Sequence, residues 1–247
     1  MPDLVLDPVR STHEERFDRA AAGVRDSFSA GLGIFPLGIA LGLLIVQAGL
    51  PWWLTPALSL TVFAGSLELL LVGMIAAATP LAAVALTVFV VNFRHVFYAF
   101  SFPLHLVRNR LARAYSVYAM IDEAYAVSAS LPKSERSATR LLTMQIACQT
   151  YGVVGGLVGV AVATALPGPV EGLEFALCAL FTTLTLDAFH SRREIPSVLC
   201  AGASVAFALV TAPEAALFVA LPTFVALLLL RYLVTVRRDR SEGDPDA

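Results

Sequence analysis

Charged side chains are scarce in this sequence. Asp, Glu, Lys and Arg together make up 15% of its 247 residues, and Lys133 is the only lysine. Apolar residues make up 57%, and the mean hydropathy is +0.76. An ordinary soluble domain is about 25% charged and about 45–50% apolar, so this composition excludes a soluble globular protein. It is typical of a chain whose surface contacts lipid and whose helices satisfy their own backbone hydrogen bonds.

Other features that the sequence lacks exclude further classes. A formal net charge of −2 gives no indication of nucleic-acid binding. The three cysteines (Cys148, Cys178 and Cys200) lie far apart in apolar stretches, without the spacing of a disulfide framework or a metal site. Neither a G-x-S-x-G elbow nor an H-E-x-x-H pair is present. We therefore expect no metal, no cofactor and no catalytic residue.

Long apolar runs fill most of the chain. A helix needs about 20 mostly apolar residues to cross a hydrocarbon core of about 30 Å. The candidate spans are 27–48, 56–78, 81–102, 141–165, 173–189, 195–211 and 214–236. They predict an all-α integral membrane protein with a single transporter-like domain over 27–236. A surface or cytoplasmic arm (1–26), which does not look like a signal peptide, precedes it, and a polar tail (237–247) follows it.

One helical segment leaves the number of spans open. Residues 115–131 are helical in pattern but carry Asp122 and Glu123 at their centre. They form either an eighth crossing buried among the others or a re-entrant or interfacial helix. The arginine clusters do not decide between seven and eight transmembrane helices, because neither topology puts all of them on the cytoplasmic side.

A faint internal repeat relates 27–102 to 141–211, each with three spans and a glycine-rich first span. Paired three-helix repeats with a Gly/Pro-broken helix are common in transporters, and the broken helix indicates a binding site near the midplane. We therefore expect the first span to be broken near Pro36. The alternative is that these glycines only allow close helix packing.

Ionisable groups inside apolar spans are costly, by about 2.5–3.5 kcal/mol each, and so indicate function. Glu68 is expected either to carry a proton, to pair with a cation or to form a structural ion pair. Arg94 needs a carboxylate, from Glu68, Asp122, Asp187 or the solute. The predicted solute-binding residues are Pro36, Gly38, Gly65, Ser66, Glu68, Asn92 and Arg94. The predicted proton-coupling residues are Glu68, His95, Asp122, Glu123 and Asp187, although Asp187 is also consistent with a solvated interfacial cluster.

Four motifs resemble the AzlC family, the large subunit of two-component branched-chain amino acid exporters. They are GLGIFPLGIALG at 31–42, FAGSLEL at 63–69, VNFRHVFYAFS at 91–101 and IDEAYAV at 121–127. The resemblance covers most of 27–236. It implies a multi-pass inner-membrane protein that exports leucine, isoleucine, valine and similar amino acids, with a small AzlD-type membrane subunit as partner. Family members often have glutamine in place of Glu68 and threonine in place of Ile121. These departures leave open whether this chain shares the family's solute and its coupling to protons.

Two other classes remain as alternatives to an exporter of branched-chain amino acids. One is an intramembrane enzyme, for which the serines and histidines within the spans are candidates. The other is a membrane subunit that transports nothing, although such a subunit gains nothing from costly buried polar groups. A transporter of a different small solute is also consistent with the residues.

Overall fold

The computed structural model describes residues 8–93, 95–166, 195–212 and 216–242, with positions 168, 172, 175, 178, 179 and 182. All regular structure within these residues is helical, which confirms the expected all-α class. The α-helices are α1 (Pro8–Gln47), α2 (Leu54–Thr61), α3 (Gly65–Ala76), α4 (Leu81–Asn92), α5 (His95–Ser101), α6 (Arg110–Tyr118), α7 (Asp122–Ser130), α8 (Ala138–Ala165), α9 (Ile195–Thr211) and α10 (Ala216–Glu242). Short 3-10 turns cover Leu104–Leu106 and Lys133–Glu135.

Three stretches among the described residues are long and apolar enough to cross a membrane. They are Glu15–Gln47 within α1, Leu81–Tyr98 along α4 and α5, and Ala138–Ala165, which is α8. Shorter apolar helices cover Gly65–Ala76, Ile195–Thr211 and Pro222–Val234. These helices agree with the membrane-spanning class that the composition predicts.

The expected break in the first span is wrong. Helix α1 is one 40-residue helix that continues through Pro36. No proline lies between Val9 and Phe35, and residues 8–26 of the expected arm continue into the first span as one helix. Proline within a membrane helix is tolerated where neighbouring groups satisfy the backbone that it leaves free.

Interruptions occur instead in two other segments that the sequence presented as single helices. The segment 56–78 divides into α2 and α3, and the segment 115–131 is divided between α6 and α7. The segment 81–102 contains α4 and α5, on either side of Arg94, which lies outside the described residues. Helices α6 and α7 have nine residues each, or about 13 Å at 1.5 Å per residue. Neither is long enough to cross a bilayer by itself. The expected span 173–189 lies largely outside the described residues.

The chain forms two compact units, Met1–Leu173 and Glu174–Ala247. In the second unit α9 packs against α10, and Arg231 Nη1 donates to Ser197 Oγ at 2.7 Å. In the first unit the main pairing is between α1 and α8, which meet backbone to backbone. A Cβ placed on Gly38 would lie 2.5 Å from the carbonyl oxygen of Gly152, so a side chain does not fit there.

One end of the α1–α8 pair carries a buried ion pair. The Arg140 guanidinium binds the Asp26 carboxylate through two hydrogen bonds of 2.5 and 3.1 Å. A third hydrogen bond of 2.8 Å joins Arg140 to Glu135. The side chains of Arg140 and Asp26 are only 10% and 12% exposed, so this pair fixes the register of α1 on α8 next to Gly23, where the two helices already pack closely.

Candidate solute-binding cavity

A cavity lies where the interrupted helices meet α1 and α8. Its volume is about 30 Å³. Each of the helices α1, α2, α3, α7 and α8 contributes to its wall, as do two positions in the interruptions between helices. The lining residues are Ile34, Leu37, Gly38, Ser59, Phe63, Gly65, Glu68, Ile121, Glu123 and Gly152.

Glu68 is the most buried charged side chain of this cavity, at 5% exposed. Its Oε1 accepts a hydrogen bond of 3.0 Å from the Ala64 backbone N–H. Its Oε2 accepts one of 3.2 Å from the Ser59 hydroxyl. Both donors are neutral. The carboxylate therefore holds the end of α2 and the start of α3 together at the interruption between them.

The local backbone explains why Glu68 takes this position. Phe63 adopts a left-handed conformation (φ +44°), which turns the chain sharply after α2. Such a conformation is strained for a bulky residue. Helix α3 then begins at Gly65 with Ala64 as its N-cap. The first N–H groups of a helix lack intrahelical acceptors, and an acidic side chain near this end is favoured by the helix dipole.

A hydrogen-bond network joins this interruption to α6 through α8. Gln149 of α8 donates to the Tyr118 hydroxyl at 2.9 Å and accepts from the Tyr115 hydroxyl at 2.9 Å. Tyr118 in turn donates to the Leu60 carbonyl oxygen at 2.8 Å. A longer contact of 3.4 Å runs from Gln149 to the carbonyl oxygen of Ser59. One amide thus contacts both the end of α2 and the end of α6.

A second amide one turn earlier on α8 caps α6. The Gln145 side chain is fully buried, and its Nε2 donates to the carbonyl oxygens of Ser116 and Ala119 at 2.9 and 3.1 Å. These carbonyl groups lie at the C-terminal end of α6, where intrahelical donors are missing. Gln145 and Gln149 therefore stabilise the interruptions that shape the cavity.

A tyrosine cluster joins α5 to α7 beside the cavity. The rings of Tyr98 and Tyr125 stack with their centroids 4.4 Å apart. The Tyr98 hydroxyl donates to Asp122 Oδ1 at 2.7 Å, and the Tyr125 hydroxyl lies 2.8 Å from Ser101 Oγ. Asp122 thus faces α5, whereas the neighbouring Glu123 lines the cavity.

The predicted site residues fall into three groups. Four of them line the cavity, namely Gly38, Gly65, Glu68 and Glu123. Five of them are described but lie outside its lining, namely Pro36, Ser66, Asn92, His95 and Asp122. Arg94 and Asp187 lie outside the described residues.

Two of the predicted residues outside the lining have defined surroundings. Pro36 lines a separate apolar groove with Phe28 and Tyr151. Nδ1 of His95 lies 3.0 Å from the carbonyl oxygen of Asn92, across the junction of α4 and α5. The structure therefore does not place either residue against Glu68.

Sequence reasoning missed the neutral polar residues of this site. Ser59, Gln145, Gln149, Tyr115 and Tyr118 were not among the predicted residues, although four of these five make the hydrogen bonds that join α8 to α2 and α6. A signal was available, because Gln145 and Gln149 are four residues apart and therefore on one face of an apolar helix. Amide side chains on such a face commonly hydrogen-bond to neighbouring helices in membranes.

Apolar helices of spanning length, with carboxylates and amides gathered at helix interruptions, define an integral membrane protein with an internal polar site. The sequence profile of the AzlC protein family matches residues 29–166, which is more than half of the chain and includes every residue lining the cavity. The chain belongs to the AzlC family.

Three relatives show how widely this likeness extends. The branched-chain amino acid transport protein AzlC of Bacillus subtilis (strain 168) is 27% identical over 207 residues, covering 81% of each chain. An uncharacterized membrane protein of Haemophilus influenzae is 24% identical over 206 residues, covering 80% of this chain and 82% of the relative. The inner membrane protein YgaZ of Escherichia coli (strain K12) is 25% identical over 182 residues, covering 70% of this chain and 74% of the relative. No solved structure matches the chain.

Proposed function

We propose that the protein exports branched-chain or related small apolar amino acids from the cell, using the cavity at Glu68 as its solute site. The observation that carries this proposal is a buried carboxylate at a helix interruption in a membrane-spanning unit. Transporters commonly bind solutes where discontinuous helices meet. The name of the Bacillus subtilis relative supports amino acids of the branched-chain class as the solute.

The walls of the cavity suit such a solute. Ile34, Leu37, Phe63 and Ile121 are apolar, whereas Ser59, Glu68 and Glu123 are polar. Ligand pockets of this kind bury an apolar group against the apolar wall and fix its orientation with a few polar groups.

Coupling to the proton gradient is the second part of the proposal. A carboxylate surrounded by apolar groups can take up and release a proton as its surroundings change. Glu68 and Glu123 are the two candidates that line the cavity. Asp122, His95 and Asp187 stay as further candidates, and Arg94 is proposed to bind the solute carboxylate.

The proposed location is the inner membrane, and the proposed partner is a small AzlD-type subunit. Helix α4 offers a surface for such contacts, because among its residues Thr87 alone is buried in the structure. Phe89, Phe93 and Phe97 lie along one exposed face of α4 and α5, with ring centroids 5.7 and 6.1 Å apart. Lipid or another apolar helix can cover this face.

An efflux experiment tests the proposal. Cells that lack their own exporters are loaded with dipeptides of leucine, isoleucine, valine or methionine, and the intracellular amino acids are measured over time. The chain is expressed alone and with its small partner. We expect faster loss of one or more of these amino acids, slowed by a protonophore that removes the gradient.

Two outcomes would redirect the proposal. Unchanged amino acid levels in both cases, from protein shown to be in the membrane, would contradict branched-chain export and favour another solute. Efflux that a protonophore does not slow would contradict proton coupling alone. The exposed substitution Glu15→Gln serves as the control, because Glu15 pairs with Arg19 on the surface of α1.

A further inference from the structure

We infer that α6 and α7 form a re-entrant hairpin, which enters the membrane and leaves it on the cytoplasmic side without crossing. Residues 115–131 are then not an eighth crossing, and the arginine clusters on either side of the hairpin face the same compartment. The inference concerns the path of the chain through the membrane. It goes beyond the proposed function, because it holds for any solute.

The α1–α8 pair gives the direction across the membrane. The two helices run parallel, because Gly23 packs against Arg140 and, further along both helices, Gly42 packs against Gly156. Each of them contains a stretch long enough to span the membrane. The ion pair between Asp26 and Arg140 therefore marks one membrane surface, the ion-pair face, and the C-terminal ends of both helices mark the other.

Both ends of the α6–α7 segment lie at the ion-pair face. One small groove is lined by Pro103 and Leu106, which precede α6, and by Leu131 and Arg136, which follow α7. Arg140 lines the same groove. The chain therefore reaches the ion-pair face before α6 and returns to it after α7. A crossing would put one of these ends on the opposite surface, about 30 Å away.

The junction between α6 and α7 lies well inside the unit. Near it, the hydroxyls of Tyr115 and Tyr118 hydrogen-bond to Gln149. Gln149 is about 14 Å beyond Arg140 along α8, at 1.5 Å per residue. Ile121, just after the junction, lines the cavity. Two helices lying flat on the membrane surface would not reach this depth.

Contacts with α5 show that α7 runs back towards the ion-pair face. Asp122, at the start of α7, accepts a hydrogen bond from the Tyr98 hydroxyl. One turn later, the Tyr125 hydroxyl lies 2.8 Å from Ser101 Oγ at the end of α5. Ser128 then reaches the groove at the ion-pair face. Helices α6 and α7 are thus the descending and returning arms of one hairpin.

Backbone groups at the bend are satisfied within the protein, as a re-entrant segment requires. Gln145 Nε2 donates to the carbonyl oxygens of Ser116 and Ala119. The N–H of Ala119 donates to the carbonyl oxygen of Tyr115. These contacts let a helix end at this depth, where lipid offers no hydrogen bonds.

Basic residues identify the ion-pair face as the cytoplasmic one. The segments that flank the hairpin, with the first turns of α6 and α8, contain Arg108, Arg110, Arg113, Lys133, Arg136 and Arg140. The segments that follow α1 and α8, residues 48–53 and 166–173, contain neither lysine nor arginine. Cytoplasmic loops carry the excess of these residues. The hairpin thus keeps on one side two clusters that an eighth crossing would separate.

The only lysine tests the side in the wild-type protein. Intact cells and inside-out membrane vesicles are treated with a membrane-impermeant amine reagent, and Lys133 is followed by peptide mapping. We expect Lys133 to be modified in the vesicles and protected in intact cells. Modification in intact cells would overturn the cytoplasmic assignment.

Single cysteines decide between a hairpin and a crossing. They are placed in a chain whose three native cysteines are replaced by alanine. Arg108→Cys and Ser134→Cys are exposed positions on either side of the hairpin, and the exposed Ala48→Cys marks the opposite surface. We expect an impermeant thiol reagent to modify Ala48→Cys alone in intact cells and the other two alone in inside-out vesicles. Modification of Arg108→Cys and Ser134→Cys from opposite sides would overturn the hairpin.

A depth measurement separates the hairpin from two helices lying on the surface. Nitroxide spin labels are attached at Arg108→Cys and at Val117→Cys in protein reconstituted into bilayers. Val117 is 48% exposed, so a label fits there. From the length of α6 we expect the label at Val117→Cys to lie about 10 Å deeper. Equal depths would overturn the inference.

Discussion

The α1–α8 pair and the interrupted helices pack in different ways and with different residues. Helices α1 and α8 are continuous and pack through glycines, with backbone against backbone. The interrupted pairs α2–α3 and α6–α7 leave helix ends inside the unit, and polar side chains hydrogen-bond to those ends. In the first region side-chain polar contacts are limited to one end, where Asp26 binds Arg140 and Ser27 donates to the Tyr151 hydroxyl, whereas the second brings carboxylates and amides to the helix ends.

This difference shows how the molecule separates its framework from its site. Around Gly38 and Gly42, close packing against the backbone of α8 leaves no space for a side chain between the two helices. A helix end, in contrast, has backbone groups that need partners. Glu68 and Gln145 fill that need, and Glu68 also faces the cavity. Substitutions in the framework are therefore expected to change stability, and those in the site are expected to change transport.

The largest expected effect on stability comes from the ion pair between Asp26 of α1 and Arg140 of α8. Asp26→Ala leaves the Arg140 guanidinium partly unpaired in a buried position. Removing one partner of a buried ion pair costs about 3 kcal/mol or more. We expect this loss in the free energy of unfolding, measured by thermal or denaturant unfolding in detergent. The control Glu15→Ala breaks an exposed pair with Arg19 and is expected to cost less than about 0.5 kcal/mol. Equal losses of unfolding free energy in Asp26→Ala and Glu15→Ala would contradict the idea that burial makes the Asp26–Arg140 pair the stronger one.

The next largest effect comes from the glycine contact itself. A Cβ at Gly42 would collide with the backbone carbonyl of Gly156 and lie 2.6 Å from the Val160 nitrogen. Gly42→Ala is therefore expected to cost about 2 kcal/mol, as overpacking commonly does. Gly33→Ala in the same helix meets no atom within 4 Å and is expected to be neutral or slightly stabilising. Unfolding curves that fail to separate these two variants would show that α1 and α8 are not in backbone contact.

The smallest expected effect on stability belongs to the site, where transport changes more. Gln149→Leu removes the partner of the Tyr115 and Tyr118 hydroxyls, at a cost of about 1–2 kcal/mol. Because Gln149 holds the end of α2 to α6, we expect the export rate to fall by more than this loss of stability explains. Thr150→Val is the control, since Thr150 is exposed and its hydroxyl donates to the Ile146 carbonyl oxygen of the same helix. Normal export by Gln149→Leu would show that the network does not shape the cavity.

The sequence indicated the membrane class and the family because both depend on local features. Apolar runs of spanning length and the four motifs can be recognised without knowing how the helices cross. The location of the interruption was predicted wrongly for α1, because proline and glycine there suggested a break that tertiary contacts remove. The segment 56–78 was expected to be one span, although the small residues just before Glu68 allow a break in the backbone; the interruption falls there, at Phe63 and Ala64, and not at a proline.

Some polar residues of the site could be recognised from the sequence and others could not. Glu68 was recognisable by itself, because a carboxylate in an apolar run is costly wherever it lies. Gln149 and Tyr118 were not, because an amide or a hydroxyl is cheaper to bury and its partners are remote in sequence.

The sequence by itself determined that this chain is helical and lies in a membrane, since a backbone in lipid must satisfy its hydrogen bonds locally. It also determined which groups were too costly to bury without a purpose. The tertiary structure alone decided which of those groups meet. Gln149 reaches Ser59 across 90 positions of sequence, and Glu123 shares a cavity with Glu68 because α1 and α8 hold the interrupted helices together. Such contacts depend on how helices cross, and a residue's immediate neighbours in sequence do not specify that.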